Sequence, residues 1–385
     1  MIGMLVWSPR RAGLTLGITQ AIAYAASSYL PAILAKRMAT EMGVTPAFVF
    51  GAFSAALLLV ALLGRPLGRY VDRVGGRGLL ITSSLIFTAG LVALALCQNA
   101  LQLCVAWMVM GLGMALGLYD IAFAALVNWF GAEAKRSITG VTLIAGFAST
   151  IGWPLTTWMA EQHGWRGACL FWAAAHLLIT LPLHLSLSPA GSGHRTVNAP
   201  QAASGPNGEA RIMALLAVAF AAMAALSSAV SAHLPPLLAA IGVKPAMVLV
   251  AAALVGPAQV AARLGEFAIL RRIHPLNSAR LAVALFPIGA ALLLIGGAPF
   301  AIVFAVLYGC GNGLFTISRG SVPLALFGAG SYGARLGSIS IPGRIAQAGA
   351  PFVFALLMQA SPALAVSVFA GLCIVGLGCL AAIRR

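Results

Sequence analysis

The chain has 385 residues, of which 61% are hydrophobic and only 8% charged, with a mean hydropathy of +1.00. A surface of that composition is not stable in water, which excludes an ordinary soluble domain and identifies an integral membrane protein. The formal net charge of +16 sits mainly in the connections between apolar runs, where basic residues orient helices, so it does not point to nucleic acid.

The apolar runs are about 20 residues long, the length of a helix crossing a ~30 Å hydrocarbon core rather than of an outer-membrane barrel strand. Twelve spans are predicted, near 12–34, 45–66, 78–97, 100–128, 137–160, 165–187, 212–235, 246–269, 278–297, 299–323, 335–358 and 362–383. Arg10 and Arg11 precede an apolar run that is longer than a signal-peptide core and has no small-residue cleavage site after it, so this run reads as the first span.

Three of the 23 Lys and Arg, Arg263, Arg319 and Arg344, fall inside spans and away from their ends. Lys36, Arg37, Arg166 and Lys244 fall in alternate connections and helix ends, and the other sixteen lie on the opposite side. That asymmetry places both termini in the cytoplasm and predicts a multi-pass protein of a bacterial inner membrane.

Between the second and third spans runs Gly64-Arg65-Pro66-Leu67-Gly68-Arg69-Tyr70-Val71-Asp72-Arg73-Val74-Gly75-Gly76-Arg77, the densest cluster of charge in the chain. It reads as a loop whose glycines, Gly68, Gly75 and Gly76, allow tight turns. Its acid, Asp72, suits the amides at the start of a neighbouring helix, with Arg73, Arg77 and Arg136 as further partners.

Residues 188–211, rich in Gly, Ser, Pro and Ala, read as a linker dividing six-span halves at 1–187 and 212–385. The halves resemble one another: Gly111-Leu112-Gly113-Met114 of the fourth span aligns with Gly309-Cys310-Gly311-Asn312 of the tenth, offset by 198 residues. These glycines read as close helix packing. The six cysteines lie in or at the ends of apolar runs without metal-ligand spacing and read as small buried hydrophobes. No phosphate-cradling Gly-Lys-Ser or Gly-Lys-Thr loop is present, so neither a cofactor nor direct ATP drive is expected.

Twelve spans, a middle linker and Gly68-x-x-x-Asp72-Arg73-x-Gly75-x-Arg77 after the second span resemble the major facilitator superfamily over nearly the whole chain. Trp129-Phe130 with Arg136 and Gly140, and Gly164-Trp165-Arg166, resemble its monocarboxylate and oxalate:formate branch. The resemblance implies an all-α fold of two pseudo-symmetric six-helix bundles around a central cavity. It also implies that Asp72 meets the eleventh span, near Arg335, as a conformational clip of Gly68, Asp72, Arg73, Gly75, Arg77 and Arg136.

Asp120, Arg263, Glu266, Arg319 and Arg344 are the charges within spans and away from the loops, and each costs roughly 2.5–3.5 kcal/mol at a helix centre, which makes them functional candidates. In the resembling oxalate:formate carriers, basic residues on the eighth and eleventh spans hold substrate carboxylates, which implicates Arg263 and Arg344. A guanidinium pairs bidentately with such an anion. Against this stands an Arg263–Glu266 pair on one helix face. Arg319 joins the substrate candidates, as do Tyr24 and Asn312, with Gln20, Tyr29, Tyr308 and Gln347 as further polar groups. Asp120 and Glu266 are the proton-coupling candidates; Asp120 and Arg319 align one position apart, as a switching or a static pair.

The expected function is secondary transport of a small organic anion by alternating access, proton-coupled or in exchange, by a monomer in the lipid bilayer. The alternatives are efflux of a drug or arsenical, for which Cys97 with Cys104 is the nearest thiol pair, and a non-transporting sensor. No His-Glu cluster or Ser/His/Asp arrangement supports an enzyme.

Overall fold

Helix starts are written plainly into the chain, because proline is tolerated in a first turn and a preceding Ser, Thr or Asn accepts an orphan amide. Ser8 caps α1 (Pro9–Ala26), its Oγ accepting from Arg11 N at 3.3 Å, and Thr45 caps α3 (Pro46–Val74) in the same way at Phe48 N. Asn99 caps α5 (Ala100–Gly117) and Ser361 caps α15 (Pro362–Ala382). The computed structural model describes residues 8–187, 206–268 and 273–383.

The remaining helices are α2 (Leu30–Met42), α4 (Arg77–Leu96), α6 (Tyr119–Phe130), α7 (Ala134–Ala145), α8 (Ala148–Ala175), α9 (Leu181–Leu185), α10 (Pro206–Ala240), α11 (Pro245–Ala268), α12 (Pro275–Gly296), α13 (Ala301–Phe327) and α14 (Tyr332–Ala360). Ten continuous helical stretches among the described residues are long and apolar enough to cross a membrane. One of them, Ala100–Leu185, carries the fourth, fifth and sixth spans, so all twelve predicted spans lie on helices. The fold is all-α and multi-pass.

Three sequence expectations change. The charged stretch 64–77 is not a loop: α3 runs through it to Val74, and only Gly75, at φ 96°, and Gly76 turn the chain into α4. The first span is longer than predicted and interrupted at Ser27–Tyr29, which puts Lys36 and Arg37 on α2 rather than in a connection. The linker read at 188–211 falls mostly outside the described residues, and its last part, from Pro206, is already α10.

The described chain divides into two compact units. Unit 1 holds α1 to α9 together with Phe327–Gly337, and unit 2 holds α10 to α13 as far as Leu326 and the chain from Ser338 onward. In unit 1, α5 packs on α3 and α4, and α1 on α7 and α8. In unit 2, α15 packs on α10 and α12.

Small residues set the close approaches. A Cβ on Gly111 would stand 2.9 Å from Ala56, and one on Gly309 would stand 2.7 Å from the Val255 carbonyl. The long α8 bends at Gly164, whose φ of 71° and ψ of 171° separate the fifth span from the sixth. The sixth span then loosens into a π-turn at His176–Thr180 before α9.

Candidate anion cavity and conformational contacts

Unit 2 holds a small cavity of about 20 Å³ lined by Phe220, Phe315, Arg319, Ser340, Arg344 and Gln347, among others. Three helices build it. Phe220 of α10 and Phe315 of α13 meet edge to face at 5.4 Å between ring centroids. Arg319 stands one turn beyond Phe315 on α13, since residues four apart share a helix face. Ser340, Arg344 and Gln347 lie along one face of α14 by the same spacing.

Arg319 Nη2 donates to Ser340 Oγ at 3.3 Å, and Arg344 Nη1 donates to Gln347 Oε1 at 3.4 Å. Both bonds are longer than the 2.7–2.9 Å typical of a guanidinium on a carboxylate, so each cation is oriented by a neutral neighbour rather than neutralised by it. Arg344 is only 5% exposed. Two guanidinia thus line one small space, which holds about one water as it stands.

Arg263, also buried, is not among the residues lining this cavity. Its Nη2 donates to Gln259 Oε1 at 3.3 Å, one turn back on α11. Its Nε and Nη1 have no hydrogen-bond partner among the described residues. Glu266 accepts from Ser278 Oγ of α12 at 2.9 Å. The alternative of an Arg263–Glu266 pair is not among these contacts: each side chain bonds a neutral neighbour. Asn312 accepts from Ser227 Oγ at 2.9 Å, and Tyr308 donates to Ser227 O at 3.1 Å, so these two serve contacts between α10 and α13.

In unit 1, Asp72 does meet the start of the eleventh span. Its Oδ1 accepts from Gly333 N at 2.8 Å and its Oδ2 from Ala334 N at 2.9 Å, two first-turn amides of α14 that have no intrahelical acceptor. The approach is possible because Gly64 and Gly68 on α3 face Gly337 and Gly333 on α14. A Cβ on Gly68 or Gly337 would collide with the opposing main chain. Both pairs are spaced four residues apart, the small-xxx-small pattern of close helix crossings. Gly333 and Gly337 were missed in the sequence, although that spacing is visible there.

The arginines predicted to assist Asp72 do other things. Arg77 Nη2 donates to Leu185 O at 2.8 Å, capping the end of α9, while Arg73 and Arg136 are exposed. Arg335 Nη1 bonds to Phe327 O at 3.4 Å and to Gly330 O, holding the turn between α13 and α14.

Asp120 lies in the first turn of α6, just beyond the interruption at Leu118, where the fourth span stops being helical. Tyr24 of α1 stacks near Tyr119, with 4.6 Å between ring centroids. Of the histidines, His184 Nδ1 bonds Ser84 Oγ at 2.8 Å, His176 Nδ1 bonds Thr180 Oγ1 at 3.0 Å, and His233 Nδ1 bonds Ala229 O at 3.1 Å. A pair that sequence reasoning did not foresee joins Arg166 Nη2 to Glu41 Oε1 at 2.9 Å, with Trp165 Nε1 donating to the same carboxylate.

Residues 16–351 match the family model of the Major Facilitator Superfamily. Among solved structures, the chain is similar to the human organic anion transporter TETRAN, with a TM-score of 0.72 and 15% identity, covering 97% of this chain and 100% of that one. It is equally similar, at a TM-score of 0.72 and 11% identity, to the proton:xylose symporter XylE, over 95% of this chain and 94% of that one. A curated relative, the multidrug resistance protein B homolog of Mycobacterium tuberculosis, is 30% identical over 147 residues, or 38% of this chain. That match spans 26% of the relative's own length.

Proposed function

This chain belongs to the major facilitator superfamily and is a transporter, and on that premise we propose that it carries a small organic anion of carboxylate type by alternating access. The single observation behind this reading is the cavity of unit 2, where Arg319 and Arg344 share one enclosed space with Ser340 and Gln347. An anion entering it exchanges water for two guanidinia and two neutral hydrogen-bonding groups in a low-dielectric interior, where charge-assisted bonds are strongest. Phe220 and Phe315 favour a compact substrate with an apolar portion. The cavity has room for about one water, so admission of an organic anion requires α10, α13 and α14 to part, as an alternating-access cycle demands. Arg263 supplies a further positive charge on α11 rather than a direct ligand to this cavity.

Asp72 is the conformational clip in this reading. Its two amide bonds hold the start of α14 in one state, and their release accompanies the other. Asp120 is the proton-coupling acid, placed at a helix interruption where a carboxylate interacts with the first-turn amides of α6. The protein acts as a monomer in a bacterial inner membrane, with both termini cytoplasmic.

Uptake of a labelled carboxylate panel into proteoliposomes tests the reading. Wild type should accumulate at least one small carboxylate, and Arg319→Gln and Arg344→Gln should each abolish its saturable uptake. Transport of no carboxylate, or normal transport by both variants, removes the anion assignment.

A second reading, export of a toxic or lipophilic compound, draws on the partial similarity to the multidrug resistance homolog. Resistance of cells expressing the chain, unaffected by loss of either arginine, would favour it.

A further inference from the structure

We propose that unit 1 carries a proton relay, His176–Thr180–Ser84–His184, threaded between α4 and the sixth span and separate from Asp120 and from the cavity of unit 2. Its use rests on the transporter reading, whereas its measurement needs no substrate.

The chain of contacts is continuous. His176 Nδ1 lies 3.0 Å from Thr180 Oγ1, Thr180 Oγ1 donates to Ser84 Oγ at 3.1 Å, and Ser84 Oγ lies 2.8 Å from His184 Nδ1. All these side chains are buried, none more than 3% exposed. Polar groups gathered inside a bilayer are costly unless they serve one another or something that visits them.

Valence sets the direction of the bonds. A hydroxyl has a single proton, so Thr180, donating to Ser84, accepts from His176 Nδ1–H, and Ser84 then donates to His184 Nδ1. The competing acceptors are His176 O, 2.8 Å from the Thr180 hydroxyl, and Leu80 O, 3.4 Å from that of Ser84. Both are already served, the first by Leu181 N–H across the π-turn and the second by the Ser83 hydroxyl at 2.7 Å.

The two ends make this a relay. With both Nδ1 atoms committed, His176 Nε2 is a bare acceptor and His184 Nε2–H a donor. Both are buried without a hydrogen-bond partner among the described residues, so one end lacks a proton source and the other a proton sink. A proton placed on His176 Nε2 lets the Nδ1 proton pass to Thr180, the Thr180 proton to Ser84 and the Ser84 proton to His184 Nδ1, while the His184 Nε2 proton leaves. As many N–H and O–H bonds form as break, and no side chain keeps a charge. The path runs roughly 12 Å along the helix, from the middle of the sixth span to the residue before exposed Leu185.

The surroundings suit single transfers. The charged or imidazole side chains of the helices packed on the π-turn, Arg10 and Arg11 of α1, Arg77 of α4, and Glu161, His163 and Arg166 of α8, stand at the ends of spans, so none holds the proton on its way. After one transfer the rings and hydroxyls point the other way, and a second proton waits until the rings turn over. His176 is stacked on Phe87 at 4.6 Å, and the backbone loosens into a π-turn at this same residue, a feature found mostly at functional sites. The relay is therefore slow and hands over one proton at a time, unlike a channel.

The test uses the full-length protein in liposomes that hold a pH indicator, under a potassium diffusion potential, inside negative, with no substrate present. Wild type should acidify the interior faster than protein-free liposomes. Ser84→Ala and Thr180→Val, which remove a hydroxyl, should each cut that rate at least about 10-fold, while Thr180→Ser, which keeps one, should stay within about threefold. Nitrogen NMR spectra of the isotope-labelled histidines, assigned with His176→Gln and His184→Gln, should show His176 protonated at Nδ1 and His184 at Nε2. The relay is overturned if both rings carry the proton on the same nitrogen, if wild type acidifies no faster than protein-free liposomes, or if both hydroxyl-free variants match wild type. The first two outcomes are read on wild type, so the relay can fail even where a variant does not fold. Failure leaves the anion reading intact, since none of these side chains lines the cavity of unit 2. Loss of the anion reading, in turn, leaves unchanged a rate measured without substrate.

Discussion

The two units solve the problem of polarity inside a bilayer in opposite ways. Unit 2 brings charge in on side chains: Arg263 and Arg344 are buried along helices that carry proline but stay helical, and Arg319 and Arg344 share one cavity. Unit 1 instead interrupts the backbone, at Ser27–Tyr29, Leu118 and Gly146–Phe147. Side-chain cations make a strong, salt-like site for one sign of charge. Helix interruptions contribute main-chain dipoles without a net charge. The difference teaches that apparent sequence symmetry between halves, such as the aligned glycines near 111 and 309, constrains packing and leaves the chemistry free to diverge.

The sharpest break of this contrast is at unit 2. Arg344→Gln keeps a polar group but removes the charge, and loss of charge-assisted bonds worth about 1.5–3 kcal/mol should lower anion affinity about 10- to 100-fold. Binding titrations of the purified variant measure it. An Arg344→Lys variant should recover only part of the affinity, since an ammonium lacks the planar fork.

Next in size is the helix crossing of unit 1. Gly68→Val drives side-chain atoms into the Gly333 main chain and should destabilise the folded protein by about 1–3 kcal/mol, visible as a lower thermal midpoint in detergent. Gly78→Val is the control, because nothing stands near a Cβ there.

Asp72→Asn retains the shape of the clip and loses the carboxylate. Asn can accept from only one of the two amides, so losing one bond and the charge on the other should cost about 1–3 kcal/mol and shift cysteine accessibility toward the state in which α14 is released. An unchanged labelling pattern would count against the clip.

The smallest effect belongs to the ion pair between Arg166 and Glu41, whose side chains are 31% and 48% exposed. Glu41→Gln should change stability by less than about 1 kcal/mol, because solvent screens exposed pairs. A larger loss would mean that the Trp165 bond to the same carboxylate matters more than the charge.

Much of the fold was legible. The twelve spans were readable because hydropathy is local, summed over a window of about 20 residues that lie next to one another in the chain. The break at Gly164 falls between the fifth and sixth spans as read from hydropathy. The helical character of Gly64–Val74 did not, because a charged, glycine-rich stretch containing Pro66 scores as a breaker until a close partner helix is known. That partner begins at Tyr332, and the bond from Gly333 to Asp72 spans 261 positions.

The sequence by itself determined the membrane class, the number of spans, the family resemblance and the scarcity of charge that marks Arg263, Arg319 and Arg344. Only the tertiary structure decided that Arg344 shares a cavity with Arg319, and that Ser278 donates to Glu266. It also revealed the buried chain from His176 to His184. The reason is physical: the cost of a buried charge or amide is set by composition and depth, whereas its partner is set by which helix faces meet. Such meetings depend on packing between residues far apart in the chain.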